Sequence, residues 1–155
     1  IRSHMKNIRV KKIFRRNQII ITTLAVILYF YLKKTNEFIT EFERRNYQMD
    51  YEIGYIQNEN DILSGVYDNY TNAVILPFKK PKGMDYQILK AGEYLTGYHK
   101  GHWNTIGAAY ERLLEYARCR QIKIDHIFLE TYAVNNLMAE SIEDYVTEIG
   151  VRIIS

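Results

Sequence analysis

A single cysteine, a single tryptophan and no clear excess of either charge narrow what this chain of 155 residues can be. Cys119 alone cannot close an internal disulfide or build a cysteine-rich zinc site, so no redox pair is expected, which fits a reducing cytoplasm. The 21 Lys and Arg are set against 18 Asp and Glu, leaving a formal charge of +3 with no basic stripe of the kind that grips nucleic acid. No glycine-rich phosphate loop, nucleophile elbow or Cys/His pair with an orienting acid is present. His99, His102 and His126 lack metal-ligand spacing with Asp or Glu on a shared helix face, so they read as surface histidines and neither a metal nor a cofactor is expected. A membrane span is missing too. Ile19 to Leu32 is almost wholly apolar and is flanked by Lys11, Lys12, Arg15, Arg16, Lys33 and Lys34, as in a signal anchor. A span needs about 18 to 20 apolar residues, however, and this run is shorter and interrupted by Thr22 and Thr23.

What the chain has is tyrosine. Fourteen tyrosines join apolar rings to polar tips, a composition suited to a recognition surface. With 47% hydrophobic and 25% charged residues, one domain with a real core is the default. Ile1 to Met5 reads as a cloning remnant, and residues 6–155 as the single domain.

Gln18 to Thr22, rich in β-branched residues, reads as a strand. Leu28, Tyr31, Leu32, Phe38, Ile39 and Phe42 then recur at spacings of three and four, which predicts an amphipathic helix. Tyr51 to Gln57 is extended, Asn58 to Asn69 is a turn or loop, and Asn72 to Phe78 is a second strand. Lys79 to Met84, with Pro81 and Gly83, breaks the chain at its middle. Tyr86 to Tyr98 holds two short extended runs around Ala91-Gly92. Trp103 to Arg120 is a helix with Ile106, Tyr110, Leu113, Leu114 and Ala117 on one face. Ile122 to Val134 and Tyr145 to Ile154 close as strands. The reading is an α+β fold of two βαββ pseudo-repeats forming an antiparallel sheet with two helices. Their sheets join back to back, each helix shields its own sheet, and a ligand cleft lies between the repeats.

Several segments of the second half carry a family resemblance. Lys90-Ala91-Gly92-Glu93-Tyr94, His99-Lys100-Gly101-His102-Trp103 and the helix that follows resemble a GyrI-like pattern, in which a Gly-x-Tyr strand leads through a Lys-Gly turn to an amphipathic helix. Phe128-Leu129-Glu130-Thr131-Tyr132 is similar to the strand carrying that family's central glutamate. Tyr145-Val146-Thr147-Glu148-Ile149-Gly150-Val151-Arg152-Ile153 resembles the last strand of BmrR-like domains. The resemblance covers Tyr86 to Ser155, and extends to the first half by topology and by Arg15-Arg16-Asn17-Gln18. It implies the effector-binding domain of a MerR-family, multidrug-sensing transcriptional regulator, a small-molecule sensor that admits bulky, lipophilic, often cationic compounds. The chain departs from such regulators at its amino end, where no helix-turn-helix or dimerising helix appears. DNA contact is therefore expected only through an upstream module of a parent protein.

Glu130 carries the chemistry. Period-two alternation puts its side chain on one face with Phe128 and Tyr132 in an apolar strand. A carboxylate buried there without a partner costs several kcal/mol, or is driven to its neutral form. One partner is a ligand cation flanked by aromatic faces, each adding about 0.5 to 2 kcal/mol. The other is an internal Arg or tyrosine hydroxyl, which would make Glu130 structural. Among the aromatics, the resemblance assigns Tyr145 to the pocket. Tyr132 shares the face of Glu130, Trp103 stands beside the cleft, and Tyr51 and Tyr55 share a face of the equivalent strand in the first repeat. Any of these rings other than Tyr145 can equally be core.

Two functions stay open. A sensor whose ligand shifts the arrangement of a parent regulator is the first, and is not an enzyme. The other is a GyrI-like hydrolase in which Glu130 activates water against a lipophilic electrophile, with Tyr132 and Trp103 holding the substrate.

Overall fold

The computed structural model describes residues 8–13, 18–22, 28–47, 49–134 and 139–154. The proposed cloning remnant and Arg15, Arg16 and Asn17 lie outside the described residues. The elements run β1 (Ile8–Ile13), β2 (Gln18–Thr22), α1 (Leu28–Arg45), β3 (Tyr51–Asn58), α2 (Glu59–Leu63), β4 (Asn72–Pro77), β5 (Gln87–Leu89), β6 (Gly92–Lys100), α3 (Gly107–Cys119), β7 (Ile124–Val134) and β8 (Val146–Ile153). Among the described residues, no helix is long and apolar enough to cross a membrane.

The strands form an antiparallel sheet in the order β1-β6-β8-β7-β3-β4-β2-β5. Two βαββ units are visible in that order: β2-α1-β3-β4 and β6-α3-β7-β8. In each unit the last strand lies in the middle, so β3 and β7 are the inner edges. They pair with each other, setting Tyr55 opposite Glu130 and Gln57 opposite Phe128. The units therefore join edge to edge, not back to back as the sequence suggested. The physical reason is that an unpaired strand edge exposes a row of N–H and C=O groups, and pairing β3 with β7 satisfies both rows at once.

The outer ends are tied as well. Ile13 pairs with Gly92 and Gln18 with Leu89, so β1 and β2 run against β6 and β5 as one interrupted antiparallel ribbon. Consecutive strands, β1 with β2 and β5 with β6, thus stand toward opposite ends of the order. Strand β1 was not anticipated. Ile8-Arg9-Val10-Lys11 alternates apolar and basic residues, as suits an edge strand, but beside the long apolar run the segment reads as a basic flank.

Register places both helices on one face of the sheet. Phe42 of α1, with Phe38 and Ile39, packs against Ile75, Tyr51, Met49 and Met84. Ile106, Ala109, Tyr110, Leu113 and Ala117 pack against Leu95, Phe128, Ile149 and Val151. Full burial of Phe42 and Phe128 contributes about 1.5 to 3 kcal/mol each. The two clusters are separate, and between them lies the β3/β7 seam with Tyr55, Glu130 and Tyr132. The stretch predicted as loop after Asn58 begins as α2. Asn58 caps it by accepting a hydrogen bond from the Asp61 amide at 3.0 Å, and Ile62 is buried in the α3 core.

Candidate functional site

Glu130 projects from β7 onto the helix-covered face, where it is 1% exposed. Three neutral donors reach it. Tyr110 of α3 donates its hydroxyl to Oε1 at 2.5 Å, Gln57 of β3 donates Nε2 to the same oxygen at 2.6 Å, and the Tyr70 hydroxyl donates to Oε2 at 3.1 Å. Among the described residues no Lys, Arg or His side chain forms an ion pair with it. Burial pushes its pKa above the ordinary carboxylate range, and the Tyr110, Gln57 and Tyr70 hydrogen bonds pull the other way without reversing the shift. Tyr110 and Tyr132 are raised far above the usual phenol range, in both cases mainly by burial, so their hydroxyls stay protonated.

Aromatic rings enclose the carboxyl. Tyr55 lies 5.1 Å from Tyr70 and 5.7 Å from Tyr132, centroid to centroid. These separations are those of favourable offset and edge contacts. Tyr70 and Tyr67 come from the segment 64–71 between α2 and β4, which is fastened over the seam. Gln57 Nε2 donates to the Tyr67 carbonyl at 2.7 Å, and the Tyr67 ring stacks on Tyr110 at 5.4 Å. A glycine makes that stack possible, since a Cβ on Gly107 would lie 2.7 Å from the Tyr67 ring. Gly107→Ala is therefore expected to displace Tyr67 while helix α3 gains up to about 1 kcal/mol of propensity. Hydrogen exchange should quicken at the Val66 and Thr71 amides, which bond to the Asp61 and Ile56 carbonyls, with the α3 amides unchanged. Unaltered exchange at 66 and 71 would show that Tyr67 does not hold the segment.

The structure brings Glu130, Tyr132 and Tyr55 together at the β3/β7 seam. Phe128 lies beneath α3, edge-on to Tyr110 at 5.7 Å. Tyr51 packs edge-on against Phe42 at 5.0 Å in the α1 core and donates its hydroxyl to Glu43. Trp103 stands in a short 3-10 turn, 47% exposed. It lines an outer groove of about 570 Å³ with Tyr67, Asp68 and Glu111. Tyr145 is half-buried just before β8 and accepts the Gly101 amide through its carbonyl at 2.9 Å. The surface reading of the histidines fails for His99, which is buried with Nε2 at 2.9 Å from the His102 carbonyl. A turn beside β6 supplies the partner that sequence could not show. Exposed His126 pairs with Glu59, which raises its pKa.

Gln57, Tyr70 and Tyr110 were not among the expected site residues. Tyr110 carried the spacing of a core-facing helix residue, and it does face the core, with its hydroxyl turned to Glu130. Gln57 had one signal, a polar residue on the parity of Tyr51, Ile53 and Tyr55 in their strand. Tyr70 had none, because no periodicity governs a loop.

Residues 38–154 match the model of the GyrI-like small molecule binding domain. The chain belongs to this GyrI-like family. Among solved structures it is similar to the C-terminal domain of EcmrR, a MerR-family protein, at 15% identity and TM-score 0.73, covering 96% of this chain and 97% of that one. Against EcmrR in a DNA complex the TM-score is 0.74 at 15% identity, and 98% of this chain spans 59% of that longer one. SAV2435 bound to tetraphenylphosphonium is similar at 15% identity and TM-score 0.54, with 96% and 94% covered. A hydrolase from Listeria innocua is similar at 9% identity and TM-score 0.63, with 96% and 92% covered. These likenesses show the fold. Comparison of the sequence with curated proteins gives no match.

Proposed function

We propose that this domain is the effector sensor of a cytoplasmic, MerR-family, BmrR-like transcriptional regulator, and that it takes lipophilic cations against Glu130 and the rings of Tyr55, Tyr70 and Tyr132 around it. The parent protein would contact DNA through a separate helix-turn-helix. One observation carries the reading: a fully buried carboxyl held by three neutral donors, with no cationic side chain paired to it among the described residues. Hydrogen bonds from neutral groups offset part of the desolvation of a buried charge, and a bound cation supplies the rest. The tyrosine faces add cation–π attraction. That SAV2435 holds tetraphenylphosphonium supports this chemistry for the fold.

Proton linkage tests the proposal. With its pKa raised, the empty site holds a proton on Glu130 in the window between the ordinary carboxylate range and the raised value. A permanently charged cation must expel that proton. Tetraphenylphosphonium affinity should therefore rise with pH through that window and level off above it. Calorimetry in buffers of different ionisation enthalpy should detect proton release inside the window. Affinity independent of pH with no proton released would remove Glu130 from the binding site.

A further inference from the structure

Within the Glu130 network, one polar atom has nothing to bond. Gln57 is fully buried, and its Nε2 is committed to the Tyr67 carbonyl, the Tyr110 hydroxyl and Glu130 Oε1, yet its Oε1 has no hydrogen-bond partner among the described residues. The orientation of the amide is fixed by those contacts. The Tyr67 carbonyl and the carboxylate are acceptors and must face N–H, so rotating the amide would put oxygen against oxygen twice. An orphaned buried acceptor is rare and calls for a specific cause.

Its neighbour has acceptor capacity left over as well. A carboxylate offers about four lone-pair positions. Tyr110 and Gln57 fill the two on Oε1, and Tyr70 fills one of the two on Oε2. The site therefore presents two unfilled acceptors, one charged and one neutral, on side chains already joined by a 2.6 Å hydrogen bond. A cationic group bearing two N–H donors carries one for each of these acceptors.

We infer that the site selects cations carrying at least two N–H donors, primary or secondary ammonium or amidinium groups on an aromatic body, over quaternary ammonium and phosphonium ions, with Gln57 as the specificity-determining residue. This rests on the proposed cation site at Glu130 and narrows its ligand class. A quaternary ion satisfies the charge of Glu130 and leaves Gln57 Oε1 orphaned. A tertiary ammonium has one N–H and fills one acceptor only. The loss of affinity therefore begins between secondary and tertiary, where the second N–H disappears. General hydrophobicity predicts the opposite slope, because each added methyl group favours transfer out of water.

The test is equilibrium binding of 2-naphthylmethylammonium and its N-methyl, N,N-dimethyl and N,N,N-trimethyl derivatives, at a pH where all four are charged. Wild-type protein should bind the first two about tenfold or more tighter than the last two, as an unmade buried hydrogen bond of this kind implies. Gln57→Met conserves volume, and should weaken all four and shrink the step to less than about threefold. A second measurement does not depend on that variant folding. In wild-type protein the side-chain amide resonances of Gln57 should shift when the secondary ammonium binds and the carbonyl accepts its N–H, and not when the quaternary one binds. Affinity that is flat or rises with methylation across the series, while Glu130→Gln still weakens every member, overturns the selectivity and leaves the cation site standing. Binding of all four that ignores Glu130→Gln overturns the cation site itself.

Discussion

Glu130→Gln is expected to lower affinity for a lipophilic cation by at least about tenfold, and by up to about a thousandfold, without loss of the fold. The magnitude follows from truncating one member of a buried charge pair, which costs about 2 to 5 kcal/mol. The fold survives because the amide is isosteric and its bonds can be remade. Its oxygen keeps the Tyr110 and Gln57 donors in place of Oε1. Its nitrogen takes the place of Oε2, where the Tyr70 hydroxyl, a donor in the wild type, can turn and accept. Stability should move in the opposite direction to affinity. A carboxyl whose folded pKa is raised contributes stability that is fully present below the unfolded pKa and is lost as pH rises through the folded value. The variant has no such loss. Urea melts across pH should therefore show wild-type stability declining through that window, and the variant flat at the position of Glu130. A variant that binds the cation as tightly as wild type would show that Glu130 serves only the fold. One that is less stable than wild type only above that window would show that the ionised carboxylate, not its hydrogen-bonded shape, holds β3, β7 and α3 together.

Period-two and period-four patterns made most of the fold legible, since they report which face of an element is apolar. They placed β2, α1, β3, β4, α3, β7 and β8 close to their observed bounds. The same logic put Glu130 beside Tyr132 and on a face with Phe128, and the register bears this out. What periodicity does not encode is partnership between distant segments. Nothing in Tyr51 to Gln57 says that its strand meets β7 rather than a second sheet layer, so the edge-to-edge seam and the pairing of Gln57 with Glu130 stayed hidden. Length also misled. Five residues of α2 are too few to set up an apolar stripe, and the Asn58 cap that starts the helix resembles a turn residue in sequence. The closing segment 64–71 is held by a backbone carbonyl and a ring stacked on a helix, and neither leaves a spacing to read.

The seam itself makes the second large prediction. At Gly54, in the middle of β3, an added Cβ would lie 2.4 Å from the carbonyl oxygen of Glu130, and 3.2 Å from the Thr131 and Val74 methyl groups on the strands to either side. The methyl groups can yield by a few tenths of an ångström. The carbonyl belongs to the backbone of β7 and cannot, unless the β3/β7 ladder opens. Overpacking alone costs about 1 to 3 kcal/mol, and each ladder bond stretched or lost adds about 0.5 to 1.5 kcal/mol, so Gly54→Ala should destabilise by about 3 kcal/mol or more. Gly65 is the control. Its φ of 77° disfavours a side chain, but nothing lies within 4 Å of its Cβ position, so Gly65→Ala should cost only about 1 to 2 kcal/mol. Urea denaturation of the two variants separates close approach from backbone strain, and equal losses would discount the contact. Gly54→Ala should also weaken cation binding in whatever protein remains folded. Opening the seam moves Tyr55 and Gln57 on β3 away from Glu130 on β7, whereas Gly65→Ala leaves that register intact. Stability and recognition meet at this glycine because the ladder that joins the two βαββ units is also the floor of the site.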